Sequence, residues 1–467
     1  MPRQSGSSLA VACVAVAGIS KLSIGGRIAT AEDVDWDEAR RAWNLAADQR
    51  PFAVAFVDGA DDVSKVVAFA RGNGLRVTAQ GTGHGAMPLG SLDDVILIRT
   101  DRMRSIEIAD GSARVEAGAW AADLGQAAAE SGRSFLPGTS PNVGVVGYTL
   151  GGGLSWLGRK YGWACNRVTA IELVTADGET RTVSAASDPD LFWALRGGGG
   201  GYAVVVALHV ELVPISEAYA GALLFPPELT ADGILAYRDW ASDAPEEAGS
   251  LVRMLNLPPV PDIPEPLRGN RWLAISAACI GSREEGERAI APLREIGAAV
   301  VDSFDQIPTV ALTGIAMDPE PPVPGLGHHR VLTELPDDAI TTFIDVAGPD
   351  SGAPLLVAEL RHLGGALGRP AENGGALEKL DGEFIALGIG MLMDPALREP
   401  ITGALDELAD SMNPWAAEGG YLNYAERPCD VDALLPRETC ARLAQVKRSW
   451  DPDELIVANH SVASATA

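Results

Sequence analysis

The first half of the chain alternates apolar runs with stretches of helical periodicity, a pattern typical of strands and helices that pack as βαβ units. The apolar run 52–57 predicts a strand, the next helix begins at Asp61 or Asp62, and the run 75–79 returns as a strand. Further strands are predicted at 95–98, 113–116, 170–175 and 204–212, and further helices at 121–131 and 189–194. This region therefore predicts an αβ domain.

The second half changes character, because proline-rich loops at 258–266 and 319–324 interrupt it. Strands are predicted at 271–280, 355–363 and 384–392, and helices at 337–346, 395–412 and 436–450. Ser282 and Glu285 form a capping box for a helix that reaches Ile296. Strands mixed with helices and irregular links predict an antiparallel sheet covered by helices on one face, so the whole chain is assigned to the α+β class.

Three glycine-rich segments interrupt the αβ half, at 80–85, 138–162 and 197–201. Loops of this composition expose successive backbone N–H groups and let a ligand approach closely, as a pyrophosphate requires. Their occurrence within one region predicts a single extended ligand that contacts all three.

Bulk properties exclude some classes of function. A chain of 467 residues predicts two domains with a cleft between them. The formal net charge of −27 argues against binding to nucleic acids, and no apolar run approaches the roughly 20 residues that span a bilayer. The cysteines are Cys13, Cys165, Cys279, Cys429 and Cys440; they form no CxxC pair and are predicted to be buried free thiols. Residues 9–19 predict a first helix in preference to a cleaved export signal.

Four motifs carry a resemblance to a known family. They are the loop Gln80–Gly85, the long segment from Gly138 through Leu154 to Gly162, the segment Asp190–Gly199, and Tyr421–Tyr424 followed by Lys447, Asp451-Pro452 and Asn459-His460-Ser461. The chain resembles the berberine-bridge-enzyme-like branch of FAD-linked oxidases, and within it the actinobacterial enzymes related to 6-hydroxy-D-nicotine oxidase. The resemblance implies a PCMH-type FAD-binding domain of two αβ subdomains at 1–213, a substrate-binding domain at 214–418 and a C-terminal segment at 419–467 that returns to the FAD domain.

The resemblance also implies how FAD is held. His84 matches the histidine that bonds to the 8α-methyl carbon of the flavin, and Ser140 stands where doubly tethered relatives have cysteine, so a single covalent link is expected. Gln80 replaces a common arginine, and Ile456-Val457 replace a Phe-Arg pair. The implied cofactor-binding positions are Gln80, Gly81, Thr82, Gly83, His84, Gly85, Gly138, Thr139, Ser140, Val143, Gly144, Val145, Gly147, Gly151, Gly152, Gly153, Leu154, Tyr161, Gly201, Val204, Val205, Tyr421 and Asn423.

Two residues are candidates for catalysis. Glu359 lies on the predicted strand 355–363, and partial burial would raise its pKa toward working pH, although an ion pair with Arg361 is an equally good interpretation. Tyr424 matches a phenol that in relatives hydrogen-bonds or deprotonates a substrate hydroxyl. His328, His329 and Arg330 either line the substrate entrance or lie exposed to solvent.

The resemblance implies an FAD-dependent oxidase that takes a hydride from an alcohol, an amine or a secondary-metabolite intermediate and passes the electrons to O₂. The small Val145 beside the flavin favours oxygen as acceptor. A flavin dehydrogenase, a flavin protein without catalysis, and a nucleotide-binding protein without covalent FAD stay as alternatives. The expected partners are a small-molecule substrate and O₂, with no metal, nucleic acid or membrane; the chain is expected to be cytoplasmic and a monomer or homodimer.

Overall fold

A computed structural model describes residues 18–19, 21–261 and 263–462. Cys13 and nearly all of the helix predicted at 9–19 lie outside these residues, and only Gly18 and Ile19 of that segment are described, as helix. Within the described part of the chain, no helix is long and apolar enough to cross a membrane.

Strands and helices follow one another at short intervals along the chain. The strands are β1 (Arg27–Ala29), β2 (Ala53–Phe56), β3 (Arg76–Gln80), β4 (Val95–Arg99), β5 (Ile106–Ala109), β6 (Ser112–Glu116), β7 (Val168–Val174), β8 (Thr180–Ser184), β9 (Val204–Glu211), β10 (Glu217–Phe225), β11 (Ala248–Asn256), β12 (Arg271–Cys279), β13 (Val301–Asp302), β14 (Asp305–Pro308), β15 (Gly325–Leu332), β16 (Val357–His362) and β17 (Phe384–Met391). The α-helices are Trp36–Ala39, Ala60–Gly72, Ala121–Glu130, Val145–Leu150, Gly158–Tyr161, Pro189–Ala194, Thr230–Asp243, Arg283–Arg294, Asp337–Ala347, Arg398–Ser411 and Arg437–Trp450.

The first sheet has the order β1-β2-β4-β3, and β4 pairs in parallel with both β2 and β3. The helix Ala60–Gly72 connects β2 to β3 and covers the sheet with Val63, Val66, Val67 and Ala70, whose spacing puts them on one helix face. The C-terminal segment joins this sheet, since the Val77 N–H donates to the Leu455 carbonyl and the Val457 N–H donates to the Val77 carbonyl.

The second sheet has the order β5-β6-β9-β7-β8 with antiparallel pairing throughout. One of its faces shares a hydrophobic core with the helix Ala121–Glu130 and with the C-terminal helix Arg437–Trp450. The sequence predicts β6, β7 and β9 to within a few residues, because each is a strand whose buried side is apolar.

The third sheet has eight strands in the order β13-β10-β12-β11-β16-β17-β15, with β14 paired to β10, and every pairing is antiparallel. Four helices, at 230–243, 283–294, 337–347 and 398–411, bury their apolar sides against one face of this sheet. The predicted α+β class, with an antiparallel sheet covered by helices on one face, is thereby confirmed.

The uncovered face of the third sheet positions the site. Val357 and Arg361 on β16, together with Leu387 and Ile389 on β17, line a cavity whose remaining walls come from the first half of the chain and from the C-terminal segment. Alternation along β16 places Val357, Glu359 and Arg361 on the same side of the strand, as the sequence predicts. The cavity therefore lies between the αβ half and the large sheet.

Candidate active site

The cavity has a volume of about 460 Å³, which is within the usual range for a small-molecule or cofactor site. The three glycine-rich segments of the sequence all reach it. The predicted positions that line it are Gln80, Gly81, Thr82, Gly83, His84, Gly85, Gly138, Thr139, Ser140, Val143, Gly144, Val145, Gly147, Gly151, Leu154, Val205, Tyr421, Asn423 and Tyr424.

The first segment is the loop that follows β3. Gly83 has φ +88°, and a Cβ atom there would lie 2.9 Å from Ala42, so the tight turn requires glycine. The turn directs His84 into the cavity, where its ring stacks on Trp43 with 3.9 Å between ring centroids. Thr82 Oγ1 lies 2.8 Å from His84 Nδ1, so the ring is fixed on two sides.

The other ring nitrogen of His84, Nε2, is buried and has no hydrogen-bond partner among the described residues. Burial lowers the pKa of His84 to about 4 and outweighs the opposing effect of the nearby Asn142 side chain, so the imidazole is neutral at physiological pH. When Nδ1 carries the proton and donates to Thr82, the lone pair of Nε2 stays unshared. A neutral, fixed imidazole with one free nitrogen has the form of a nucleophile.

The second and third segments meet each other through Leu150. The N–H groups of Gly197 and Gly199 both donate to the Leu150 carbonyl at 3.0 Å, which brings Gly198, Gly199 and Gly200 to the cavity wall. Gly147 faces open space, since no atom lies within 4 Å of where its Cβ would be. A side chain at position 147 would extend into this space, so Gly147 leaves room for a ligand.

Five positions predicted to contact the cofactor do not line the cavity: Gly152, Gly153, Tyr161, Gly201 and Val204. For these five, contact with the cofactor stays a prediction. A Cβ on Gly152, Gly153 or Gly201 would lie within about 2.6 Å of Leu377, Ala164 or Ala458, so these glycines permit close packing of the chain. Val204 belongs to the core of the first sheet, and Tyr161 packs with Trp156 and Leu157.

The C-terminal segment packs directly against the second glycine segment and lines the cavity beside it. Asn423 Nδ2 donates to the Tyr148 carbonyl at 2.9 Å and to the Tyr421 hydroxyl at 3.1 Å, and that hydroxyl accepts from the Leu154 N–H. A Cβ on Gly151 would lie 1.8 Å from Asn423 Oδ1, so this docking requires glycine. Ile456 and Val457 also reach the cavity, in place of the Phe-Arg pair expected from the resemblance.

The strand β16 carries a buried charge network. Arg253 on β11 lies opposite Glu359 and donates from Nε to Glu359 Oε2 at 2.6 Å, while Arg361 donates from Nε to Glu359 Oε1 at 2.7 Å. Arg253 Nη1 also donates to Asp318 Oδ1 at 2.7 Å. Of these four residues, Asp318 and Arg361 line the cavity and Glu359 does not.

The predicted rise in the pKa of Glu359 is wrong. Burial alone would raise the pKa, but the charges of Arg361 and Arg253 hold it well below its ordinary value. The carboxylate is fully buried, with both oxygens bonded to guanidinium groups. It is therefore the ion-pair interpretation of Glu359 that the geometry supports, and we assign this residue to the positioning of Arg361.

Replacing Glu359 with glutamine is expected to lower the free energy of unfolding by about 3–5 kcal/mol, because it leaves two buried guanidinium groups without their shared anion. Since the folded pKa of Glu359 lies below its ordinary value of 4.5, this contribution is present above pH 4.5 and is lost as the pH falls below it. Urea unfolding of both proteins at several pH values measures the effect. Glu246→Gln, which breaks the exposed pair with Arg369, is the control and should cause a much smaller loss.

His328, His329 and Arg330 are not at an entrance. They lie on β15, none of them lines the cavity, and His329 is buried. His329 Nε2 accepts from the Tyr421 N–H at 2.9 Å, and its Nδ1 lies 3.0 Å from the Tyr424 carbonyl oxygen. The histidine therefore fixes the backbone of the Tyr421–Tyr424 motif, which corrects both interpretations for His329, whereas His328 and Arg330 are half-buried.

Tyr424 does reach the cavity, and its hydroxyl makes no hydrogen bond within the described residues. Burial raises the pKa of Tyr424 to about 12, although the nearby Arg361 charge opposes the rise. The phenol is therefore protonated at neutral pH and suited to donate a hydrogen bond.

Sequence reasoning missed Glu426, a second carboxylic acid at the cavity wall. Its Oε2 is buried without a hydrogen-bond partner, and its carboxyl carbon packs against Gly327 of β15, where a Cβ would lie 3.1 Å away. Burial raises the pKa of Glu426 to about 7, and the Gly327 N–H offsets only part of that rise. The only signal in the sequence is its place two residues after Tyr424, and only the fold shows that both side chains face one cavity.

The remaining features agree with a flavin. Ser140 lines the cavity and donates from Oγ to Asn142 Oδ1 at 3.1 Å, so no thiol is available at that position for a second link. Both side-chain polar atoms of Gln80 are buried without hydrogen-bond partners among the described residues, as expected of groups whose partner is a bound polar ligand. The described residues contain no group of three or more His, Cys, Asp or Glu that could hold a metal ion. The three glycine-rich segments, the unpartnered polar atoms of Gln80 and the unpartnered Nε2 of His84 together fit a flavin dinucleotide.

The glycine-rich lining of the cavity in this α+β chain suits a nucleotide cofactor, and comparisons with known proteins define the class of the protein. A family model for an FAD-binding domain matches residues 51–184. The chain is 29% identical over 465 residues to (R)-6-hydroxynicotine oxidase of Paenarthrobacter nicotinovorans, covering 94% of this chain and 97% of that one. It is 32% identical over 218 residues to glucooligosaccharide oxidase of Sarocladium strictum, and this match covers 44% of this chain and 43% of that one.

Among solved structures, berberine bridge enzyme from Eschscholzia californica superposes with a TM-score of 0.81 at 17% identity, covering 97% of this chain and 99% of that one. This likeness shows the fold. Together the comparisons confirm the resemblance: the chain is an FAD-dependent oxidoreductase that is similar to the berberine-bridge-enzyme-like FAD-linked oxidases.

Proposed function

We propose that this oxidoreductase is an oxidase that carries FAD on a single covalent bond to His84 and transfers two electrons from a small organic substrate to O₂, giving H₂O₂. The observation that carries the proposal is the fixed, neutral His84 ring, which lies at the wall of a cavity that three glycine-rich segments enclose and whose buried Nε2 has no partner among the described residues. Ser140 excludes a cysteinyl second link at the matching position.

The flavin, when bound, accepts the hydride and passes two electrons to oxygen. The protein groups handle the substrate's proton and orientation. We assign proton acceptance to Glu426, because the residue lines the cavity, one of its carboxyl oxygens has no partner among the described residues, and its pKa is raised to about 7. We assign hydrogen bonding of the reacting hydroxyl or amine to the phenol of Tyr424, which is protonated at this pH.

Oxygen as the acceptor is supported by Val145, a small buried side chain on the cavity wall. After anaerobic reduction, mixing with aerated buffer is expected to restore the oxidised flavin spectrum rapidly, with one H₂O₂ formed for each flavin. Val145→Leu should slow this step because the larger side chain obstructs access to the flavin. Slow reoxidation of the wild type by oxygen, together with fast reoxidation by an artificial acceptor, would establish a dehydrogenase instead.

A further inference from the structure

The side chain of Arg361 is held firmly at the cavity wall. Its Nε donates to Glu359, and its guanidinium carbon lies 5.9 Å from the centre of the Trp156 ring and 5.8 Å from that of Tyr424. The residue is only 7% exposed. Its Nη1 and Nη2 make no hydrogen bond within the described part of the chain, although Arg361 lines the cavity.

These two nitrogens end a row of alternating charges. Asp318, Arg253, Glu359 and Arg361 follow one another in direct contact, so Arg253 and Glu359 each have two partners of opposite charge. Arg361 has one. A buried cation is costly unless anions pair with it, and the open side of this cation faces the cavity.

Other carboxylates at the cavity do not complete this pairing. Asp318 pairs with Arg253, and Glu426 packs against Gly327 without forming an ion pair with Arg361 among the described residues. An anion that enters the cavity would complete the row. A guanidinium held from behind presents two parallel N–H donors, which match the two oxygens of a carboxylate.

We infer that the substrate carries a carboxylate, and that Nη1 and Nη2 of Arg361 bind it as a two-point anchor beside Tyr424. This inference rests on the proposed function and narrows its substrate class to small organic acids. A protonated amine without an acid group is disfavoured, because the same guanidinium would repel it. Glu359 acts through Arg361 as a positioning residue.

The test is a titration of the flavin-loaded protein with benzoate, its neutral isostere benzamide and the cation benzylammonium. Binding is followed by the shift of the flavin visible spectrum and by calorimetry, so no turnover is needed. Benzoate is expected to bind at least about tenfold more tightly than either analogue, and Arg361→Gln should weaken benzoate alone by about tenfold or more. Arg361→Lys keeps the positive charge but loses the two parallel N–H donors of the guanidinium. Its affinity for benzoate should lie between those of the wild type and Arg361→Gln.

Arg369→Gln is the matched control, since it also removes one positive charge but from an exposed pair with Glu246; benzoate affinity should not change. Equal binding of benzoate and benzamide to the wild type would overturn the inference even if Arg361→Gln failed to fold. So would an Arg361→Gln variant that alters the flavin spectrum yet binds benzoate normally, because Arg361 would then serve the flavin alone. A wild type with bound flavin and H₂O₂ formation but no carboxylate binding rejects this inference and leaves the oxidase proposal standing.

Discussion

Alanine at position 84 is expected to abolish acid-stable flavin binding. His84 is the ring in the cavity whose free nitrogen can bond to the flavin, and the described residues place no cysteine among those that line the cavity. Wild-type protein precipitated with acid should therefore keep its yellow colour in the pellet, whereas His84→Ala should release all of it to the supernatant. Under native conditions the variant should still bind FAD reversibly, since the glycine segments are intact.

Substitutions near His84 and away from it provide two further variants for the acid-precipitation experiment. Thr82→Val removes the hydroxyl that lies 2.8 Å from Nδ1 while keeping the side-chain shape, so flavin should bind but a smaller fraction should become covalent. His209→Ala is the control, because His209 pairs with Glu172 on the second sheet and does not line the cavity. A colourless wild-type pellet above a yellow supernatant would refute the tether.

Local sequence pattern predicted much of the fold, and the reason is visible in single elements. The strand predicted at 95–98 and the helix predicted at 189–194 appear as β4 and Pro189–Ala194, since apolar periodicity and an N-terminal proline act within the element itself. The glycine segments were recognisable because their composition is rare. By contrast, β10 and β11 were not predicted, and their strand pairing determines which groups meet at the site.

Glu359 illustrates the consequence. The sequence shows Arg361 two positions away, but the second guanidinium comes from Arg253, opposite Glu359 on the adjacent strand β11. Strand register is a property of the assembled sheet, so the sign of the pKa shift could not be obtained from the strand alone. Glu426 was missed for a related reason: it lies in a loop, and only the packing against Gly327 on β15 gives it a buried place at the cavity.

Replacing Glu426 with glutamine is expected to lower kcat by about 10²–10⁴-fold, the usual contribution of a positioned base. A base must be unprotonated to accept the substrate's proton, so wild-type kcat/KM should rise with pH through a pKa of about 7. Glutamine cannot titrate, and this rise should disappear in the variant. The pH dependence of kcat/KM for both proteins, measured with one substrate, provides the comparison.

Tyr424→Phe separates the two roles, because it removes a hydroxyl at the same cavity and leaves Glu426 unchanged. A lower rate with the rise near pH 7 retained would agree with a phenol that donates a hydrogen bond. If the rise instead vanished in Tyr424→Phe and persisted in Glu426→Gln, the phenol would be the proton acceptor, with Arg361 stabilising its anion. The Arg361 charge does oppose the increase in the pKa of Tyr424, but burial outweighs it and leaves that pKa at about 12, so a carboxyl that titrates near 7 is the stronger base candidate at neutral pH.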